Sequence, residues 1–274
     1  MRIEDLLVFG KSHCHSDHAK ILLAELLHKN PLELLTCLDE IVEENLVNLY
    51  KKEVLALEEG KPLQYVMGYV NFYGYRFNVD ERVLIPRYET EELVENTIKI
   101  VNQYFKEPVD IIDLGCGSGA IGLTLEKKLS TNIVDLVDIS KDALEVAKDN
   151  GKNLDSKANF YESDFFTNID KKYDLIISNP PYIAETEEIE EIVKNNEPQR
   201  ALYAGEDGLD CYKAILSTIK PHMKERCLVA FEIGANQKDA IISLINQYLD
   251  NVKVEVKKDL SERDRMVFIY KNLE

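Results

Sequence analysis

The feature that most constrains the fold is an alternation of short apolar runs with helix-like segments, which begins at Val109. The apolar runs are rich in β-branched residues and indicate buried strands: VDIIDLGCGSG, TNIVDLVDIS, KKYDLIISNPP and CLVAFEIG. The segments between them indicate helices: AIGLTLEKKLS, KDALEVAKDNGKN and CYKAILSTIK. This alternation predicts a parallel sheet with helices on both faces, because parallel strands need crossover connections.

Both ends of the chain follow other patterns. From Leu6 to about Gly60, apolar residues recur at three- and four-residue spacing, which predicts a small helical bundle. The turn-like stretch Asn71 to Gly74 predicts a β-hairpin, the acidic start at Glu89 predicts a helix to about Phe105, and NVKVEVKKDL with RMVFIYK predicts a final antiparallel hairpin. The predicted organisation is an N-terminal helical domain, a β-hairpin linker and an α/β domain, over residues 1–68, 69–84 and 85–274.

Composition excludes several classes of protein. With 45% hydrophobic residues, the 274-residue chain can fill a sizeable core, and no apolar run approaches the roughly 20 residues that span a bilayer. The start, MRIEDLLVFGK, lacks the apolar segment of a signal peptide, so we expect a cytoplasmic protein with no membrane partner. The net charge of −17 would repel a phosphate backbone, which disfavours duplex DNA as a partner.

The cysteine pattern indicates neither disulfides nor a zinc site. The five cysteines include no C-x-x-C pair, which favours reduced thiols. In SHCHSDH, Cys14 and His18 would share a helix face, but Ser16 and Asp17 also fit an ordinary helix start, and no second ligand pair occurs elsewhere. We therefore expect no metal.

A glycine-rich loop follows the first strand of the α/β domain, where ligands of open sheets bind. It consists of Asp113, Leu114, Gly115, Cys116, Gly117, Ser118 and Gly119. Alternate glycines allow a tight turn and a close approach of the backbone to a ligand. Asp138, at the end of the next strand, is placed to accept hydrogen bonds from two ribose hydroxyls.

Two classes of cofactor fit this loop. Gly117 to Gly122 matches the dinucleotide fingerprint, in which the glycines frame a pyrophosphate. Asp113 at the mouth of the loop would disfavour a pyrophosphate and would hold the cationic amino-acid end of S-adenosylmethionine instead. The pattern D-L-G-x-G-x-G resembles motif I of the class I S-adenosylmethionine-dependent methyltransferases. After the third strand, Asp164 and Phe165 would bind the amino group and the face of an adenine, whereas we expect Phe166 in the core.

The run Leu175 to Ile177 ends in the tetrapeptide Asn179-Pro180-Pro181-Tyr182. Two consecutive prolines remove two N–H donors and exclude a helix. Because a residue before proline is held extended, the side-chain carbonyl of Asn179 and the backbone carbonyl of Pro180 are left free as acceptors. Two acceptors can clamp one NH₂ group, and Tyr182 can lie against its flat face. The turn therefore suits a planar amine or amide.

The same turn suits methyl transfer to nitrogen. A planar nitrogen delocalises its lone pair and reacts only as that conjugation weakens. Acceptors on both N–H groups favour the positive charge that builds on the attacking nitrogen. The methylated nitrogen is acidic enough to lose its proton to water, so no general base is expected. The predicted catalytic residues are Asn179, Pro180 and Tyr182, and the predicted substrate-binding residues add Pro181.

Over nearly its whole length the chain resembles the HemK/PrmC family of bacterial release-factor glutamine methyltransferases. Pro62 to Val94, PLQYVMGYVNFYGYRFNVDERVLIPRYETEELV, resembles the family's junction between a helical bundle and the catalytic domain. Tyr88 departs from the family, which usually has a second proline there. Further matches are DLGCGSGAI, VDISKDALEVAKDN, SNPPYI, EPQRAL, FEIG with Gln237, and DLSERDRMV.

The resemblance implies a class I methyltransferase fold behind a small helical bundle that recognises the substrate. It implies S-adenosylmethionine as cofactor, S-adenosylhomocysteine as product, and the glutamine of the Gly-Gly-Gln loop of peptide-chain release factors as substrate. By the same match, Asn179 to Tyr182 would hold the glutamine, and nothing demands more than a monomer. The implied cofactor contacts are Gly115, Cys116, Gly117, Ser118, Gly119, Asp138, Phe165 and Asn179.

Two alternative substrates stay open on chemistry alone. An adenine-specific nucleic-acid methyltransferase would need a basic groove, but residues 1–80 hold 8 basic against 13 acidic side chains. A ribosomal-protein glutamine methyltransferase would share the fold, although ETE at Glu89 to Glu91 favours the release-factor branch. Arg87 with these glutamates would either shape the substrate entrance or form an ion-pair cluster, and Glu197-Pro198 would order the segment after Tyr182.

Overall fold

The structure is a computed structural model and describes residues 1–273. The helices are α1 (Ile3–His13), α2 (Ser16–Leu26), α3 (Glu44–Glu58), α4 (Leu63–Met67), α5 (Tyr88–Tyr104), α6 (Ala120–Lys128), α7 (Lys141–Asn153), α8 (Glu191–Asn196), α9 (Asp210–Thr218) and α10 (Lys238–Tyr248). The strands are β1 (Tyr69–Phe72), β2 (Tyr75–Asn78), β3 (Val109–Leu114), β4 (Thr131–Asp138), β5 (Asn159–Glu162), β6 (Tyr173–Ser178), β7 (Met223–Glu232), β8 (Lys253–Lys258) and β9 (Asp264–Lys271). Within residues 1–273, no helix has the length and apolar character needed to cross a membrane.

The chain forms two compact units. Residues Met1–Tyr69 and Glu190–Asn196 form the first, and Val70–Ile189 with the chain from Glu197 onward forms the second. The first unit is helical, as predicted, because its apolar residues line one side of each helix. Its core includes Leu6, Leu22, Leu23, Tyr50 and Val54, which are all nearly inaccessible to solvent.

A seven-stranded sheet organises the second unit, in the order β5-β4-β3-β6-β7-β9-β8. Strands β5, β4, β3, β6 and β7 are parallel, and β9 runs antiparallel to both β7 and β8. This arrangement confirms the predicted mostly parallel sheet with a C-terminal antiparallel hairpin. Because the chain moves from β3 to β4 on one side and returns to β6 on the other, the carboxyl ends of β3 and β6 flank a topological switch point.

Both faces of this sheet are buried. Successive residues of β3 alternate between them, with Ile111 on the face covered by α5, α6 and α7, and Ile112 on the face covered by α9 and α10. Burial on both faces explains why the central strands are continuous apolar runs without a polar side. Helix α5 lies within one residue of its predicted bounds at each end.

The first hairpin, β1 and β2, packs onto the α/β core. Phe72 and Phe77 are buried and their rings meet edge to face, with centroids 6.0 Å apart. Asn150 of α7 accepts a hydrogen bond from the Asn78 amide and donates one to the Asn78 carbonyl, at 2.7 and 3.0 Å. A further bond from Asn150 to the Ser118 carbonyl, 2.9 Å long, connects the hairpin's end to the glycine-rich loop.

Candidate active site

A cavity of about 440 Å³ opens at the carboxyl ends of the parallel strands of the second unit. The predicted cofactor residues that line it are Gly115, Cys116, Gly117, Ser118, Asp138, Phe165 and Asn179. Gly119 does not line it. It is the N-cap residue directly before α6, with a φ of 81°, and a Cβ there would lie 3.0 and 3.1 Å from Leu123 and Leu136. Its glycine requirement therefore comes from helix packing.

The glycine-rich loop presents backbone to the cavity. Gly115 and Gly117 have φ values of 69° and 53°, and a Cβ on either would meet no atom of the described chain within 4 Å. The loop is anchored from behind, since the Gly115 and Cys116 amides both donate to the Val137 carbonyl, at 2.8 and 2.9 Å. A ligand can therefore approach this backbone without a side chain in the way.

Asp138 closes the loop from the end of β4. Its Oδ2 accepts a hydrogen bond from the Gly117 amide at 2.9 Å, and its Oδ1 accepts one from the Ser140 amide at 2.8 Å. Burial raises the pKa of this carboxyl, while those two amides and Arg200 act against the rise. Each carboxylate oxygen keeps a further lone pair, so both can still accept from ribose hydroxyls.

The expected role of Asp113 is wrong. Its side chain is fully buried under α6 and does not line the cavity, because its Oδ2 accepts a hydrogen bond from the Gly122 amide at 2.9 Å. A Cβ at Gly122 would lie 3.0 Å from this oxygen, so the third glycine of the G-x-G-x-x-G match serves close helix–strand packing. Burial raises the pKa of Asp113 to about 7.

Phe165 and Phe166, which are consecutive in sequence, lie in different surroundings. Phe165 lines the cavity with a positive φ of 43°, together with Asp164, whereas Phe166 is buried and stacks on His222 at a centroid distance of 4.3 Å. The strained backbone at Phe165 turns consecutive rings in different directions, one toward the cavity and one into the core.

The Asn-Pro-Pro-Tyr turn is only partly on the cavity wall. Asn179 and Pro181 line the cavity, whereas Pro180 is buried and Tyr182 lies outside the lining. Arg265 Nη1 lies 3.5 Å from the Tyr182 hydroxyl. The backbone carbonyl of Tyr182 accepts a 2.8 Å hydrogen bond from Gln237 Nε2, which ties the turn to the segment after β7.

Two polar residues beside Asn179, Thr90 and Glu232, were not predicted from the sequence as site residues. Thr90 Oγ1 accepts a hydrogen bond from Asn179 Nδ2 at 3.1 Å and donates one to Glu232 Oε2 at 2.7 Å. Glu232 is 1% exposed, and burial raises its pKa to about 7. The available signal was a carboxylate that ends the otherwise apolar run CLVAFE.

The segment before α5 is held by an ion pair between the half-buried Arg87 and the buried Glu197. Arg87 Nη2 lies 2.5 Å from Glu197 Oε1, and the Ile85 amide donates to Glu197 Oε2 at 3.1 Å. The Tyr73 amide donates to Glu91 Oε1 at 3.0 Å. The ion pair of Arg87 is therefore with Glu197, and Glu91 binds a backbone amide, so the partners differ from those of the predicted cluster.

The His/Cys segment near residue 15 forms an ordinary helix start. Helix α2 begins at Ser16, and the His15 ring accepts a hydrogen bond from the Asp17 amide at 3.4 Å. Within residues 1–273 no three His, Cys, Asp or Glu side chains are grouped as a metal site would require.

The cavity fits S-adenosylmethionine. Its volume lies in the range of small-molecule sites, its glycine backbone leaves space that a Cβ would fill, and Asp138 offers acceptors for a ribose. The fold and this site define a class I S-adenosylmethionine-dependent methyltransferase.

Comparisons with known proteins identify the family. The Methyltransferase small domain matches residues 92–201, and the PrmC N-terminal domain matches residues 15–68. The release factor glutamine methyltransferase of Bacillus cereus is 38% identical over 98% of this chain and 99% of its own, and that of Bacillus subtilis is 41% identical over 88% and 86%. The chain belongs to the release factor glutamine methyltransferase family.

A solved structure supports the fold. A 16S rRNA N2-guanine methyltransferase from T. thermophilus, in complex with AdoMet and guanosine, superposes with a TM-score of 0.54 at 14% identity. The match covers 74% of this chain and 50% of that chain. At this identity the likeness concerns the methyltransferase fold alone.

Proposed function

We propose that this chain transfers a methyl group from S-adenosylmethionine to the side-chain amide nitrogen of the glutamine in the Gly-Gly-Gln loop of a peptide-chain release factor. The observation that carries the proposal is the position of Asn179, which directly follows β6 and lines the same cavity as Asp138, and whose Nδ2 donates a hydrogen bond to Thr90. Its amide oxygen is thereby left to accept from an incoming NH₂ group. Membership of the family supports glutamine as the source of that group.

The cofactor end of the site is assigned to the glycine-rich loop. Gly115, Cys116, Gly117 and Ser118 bring backbone to the ligand, and Asp138 accepts from its ribose. Phe165 offers a ring at the cavity wall for the adenine. When bound, S-adenosylmethionine supplies the electrophilic methyl group.

The substrate end is assigned to the Asn-Pro-Pro-Tyr turn. Asn179 Oδ1 and the Pro180 carbonyl accept the two N–H groups of the glutamine amide, which holds its plane and favours positive charge on the attacking nitrogen. Pro181 lines the cavity beside them, and Tyr182 is the proposed contact to the flat face of the amide. The methylated nitrogen loses its proton to water, so no base is assigned.

Residues 1–68 would recognise the release factor, and the enzyme would act as a monomer in the cytoplasm, without direct contact to nucleic acid. The net charge of −17 supports a basic protein surface as partner, rather than a phosphate backbone.

The test is a methyl-transfer assay with radiolabelled S-adenosylmethionine. Separate reactions contain a recombinant release factor, the same factor with the glutamine of Gly-Gly-Gln replaced by glutamate, and unmethylated genomic DNA. We expect label on the unmodified factor alone. Label on DNA alone would show an adenine-type methyltransferase and overturn the proposal, and equal label on both factors would overturn the choice of glutamine.

A further inference from the structure

The side-chain amide of Asn179 can serve the reaction in only one of its two orientations. If Oδ1 faces the substrate, it accepts an N–H of the glutamine amide. If Nδ2 faces it, two NH₂ groups meet and no hydrogen bond forms. Rotation about the last bond of an asparagine side chain exchanges these atoms with little change in shape, so the surroundings must select between them.

The selecting contacts come from two other elements. Thr90, in the first turn of α5, and Glu232, at the end of β7, form a chain of hydrogen bonds that ends at Asn179. Thr90, which also lines the cavity, and Glu232 are only 3% and 1% exposed. We propose that Thr90 and Glu232 are positioning residues that hold Nδ2 of Asn179 away from the substrate and so present Oδ1 to it, an inference that rests on the proposed function.

The ionised carboxylate of Glu232 fixes which atom donates and which accepts in each of these hydrogen bonds. A carboxylate only accepts, so the Thr90 hydroxyl must give its single proton to Glu232 Oε2. The Thr90 oxygen can then only accept from Asn179, which requires Nδ2 on that side and places Oδ1 on the other. Ionised Glu232 therefore sets the orientation of the Asn179 amide, both through Thr90 and through its own hydrogen bond from the Asn179 side chain.

When Glu232 is protonated, the donors and acceptors of these hydrogen bonds are no longer fixed. A neutral carboxyl can donate to the Thr90 oxygen, which frees the Thr90 proton for Oδ1 of Asn179. The amide can then turn its NH₂ toward the substrate. The reaction accordingly needs the ionised form, and kcat should rise with pH as Glu232 loses its proton and then reach a plateau.

Several groups around Glu232 bear on that titration. Burial raises the pKa of Glu232 to about 7, and the charge of Glu89 acts in the same direction. The hydrogen bonds from Thr90 and Asn179 and the charge of Arg265 in β9 favour the ionised form. Burial and, to a smaller extent, the negative charge of Glu232 raise the pKa of the Tyr182 phenol. The Tyr212 hydroxyl donates to the backbone carbonyl of Glu232 at 2.6 Å and leaves its carboxylate to Thr90.

A structural role alone accounts poorly for Glu232. A buried carboxylate costs desolvation, and well-packed apolar residues commonly replace buried charged groups at no loss of stability. The run Cys227–Phe231 that precedes it is entirely apolar and fully buried. A buried acid that is hydrogen-bonded both to Thr90 and to the Asn179 side chain on the cavity wall is better explained by a role in orienting Asn179.

The first arm of the test uses Thr90→Val and Thr90→Ser. Valine keeps the shape and removes the hydroxyl, so we expect kcat on the release factor to fall by about 10- to 100-fold, with KM for S-adenosylmethionine changed less than about threefold. Serine restores the hydroxyl and should return kcat to within about threefold of the wild type. Equal kcat for the wild type and Thr90→Val would overturn the inference.

The second arm uses Glu232→Gln. Glutamine can donate or accept, so it no longer enforces one direction, and we expect kcat to fall by about 10-fold and its rise around pH 7 to disappear. A fall in kcat with the rise around pH 7 retained would assign that titration to another group and overturn the role of Glu232.

The third arm measures the NMR signal of the Asn179 side-chain amide in the absence of substrate. In protein labelled with ¹⁵N-asparagine, the side-chain NH₂ signal of Asn179 is assigned by its loss in Asn179→Asp. We expect this signal to move with pH through about 7 in the wild type and to stay unmoved in Glu232→Gln. An unmoved signal in the wild type overturns the inference, whereas a moving signal in a protein that labels no release factor overturns the proposed function instead.

Discussion

Arg87 and Glu197, 110 residues apart in sequence, form an ion pair with an Nη2 to Oε1 distance of 2.5 Å, in which the Glu197 side chain is 2% exposed. The other oxygen of Glu197 accepts from the Ile85 amide. One buried carboxylate thus ties the segment before α5 to the segment that follows α8. The neighbours Pro86 and Pro198 line the cavity, so this contact helps to define its wall.

Removal of Arg87 should destabilise the protein more than removal of a surface cation. Arg87→Ala leaves Glu197 buried without its charge partner, and we expect the free energy of unfolding in urea to fall by about 3 kcal/mol. Lys220→Ala is the control, because Lys220 and Asp250 form an exposed pair at 3.1 Å that should contribute less than about 1 kcal/mol. Equal losses in the two variants would contradict this account.

Asp138→Asn should weaken binding of S-adenosylmethionine. The substitution removes the charge and one of the two acceptors that hold the Gly117 and Ser140 amides. We expect Kd from calorimetry to rise by about 10- to 100-fold, since hydrogen bonds to charged groups contribute about 1.5–3 kcal/mol. Asp142→Asn, on the exposed start of α7, should leave Kd unchanged, and a similar rise there would point to a general charge effect.

The stability of the protein should fall as pH rises from about 4 toward neutrality. Burial raises the pKa values of Asp113 and Glu232 to about 7, so the folded state holds protons that the unfolded state has released above about pH 4. Each carboxyl then favours the folded state less as pH rises from about 4 to 7, by an amount on the order of 3 kcal/mol.

Asp113→Asn isolates one of these two contributions. The variant should show a smaller decrease of the urea unfolding free energy between pH 5 and 8 than the wild type does. Asp239→Asn, at the exposed start of α10, should reproduce the wild-type decrease. An unchanged decrease in Asp113→Asn would mean that this carboxyl titrates alike in both states.

Gly10 should tolerate no side chain. A Cβ there would lie 2.2 Å from Tyr50 Oη and 2.6 Å from Ala19 Cβ, between α1 and its neighbours. We expect Gly10→Ala to lower the unfolding free energy by about 1–3 kcal/mol. In Gly10→Ala/Tyr50→Phe the nearest atom is gone, so the double variant should lose less than the sum of the single losses. Simple additivity, measured by urea unfolding, would contradict this packing.

Turnover should depend on ionic strength if the acidic surface attracts its substrate. Release factors bind ribosomal RNA and should present basic surface, to which a chain of net charge −17 is complementary. At subsaturating release factor, kcat/KM should fall by about 10-fold between 50 and 300 mM NaCl. A kcat/KM that does not change with NaCl concentration would contradict electrostatic attraction of the release factor.

Local sequence patterns were sufficient to predict the order and type of the main secondary-structure elements. Apolar runs and helical periodicity in the sequence predicted the parallel sheet, the C-terminal hairpin and the helical N-terminal unit, because these periodicities are set by the geometry of each element itself. Motif spacing also placed Gly115, Gly117 and Asp138 together, because the two glycines follow β3, Asp138 ends β4, and both strands end at the same edge of the sheet.

Only the tertiary structure decided which polar groups meet. Asp113 proved to face α6 rather than the cavity, because strand alternation shows that neighbours point to opposite faces but not which layer covers each face. Thr90, Asn179 and Glu232 come from α5, the end of β6 and the end of β7, and their contacts span 89 and 142 residues of chain. These residues meet because β6 and β7 are neighbours in the sheet and α5 packs beside them. The periodicity of a single strand or helix does not specify which elements become neighbours, so the sequence pattern could not predict these contacts.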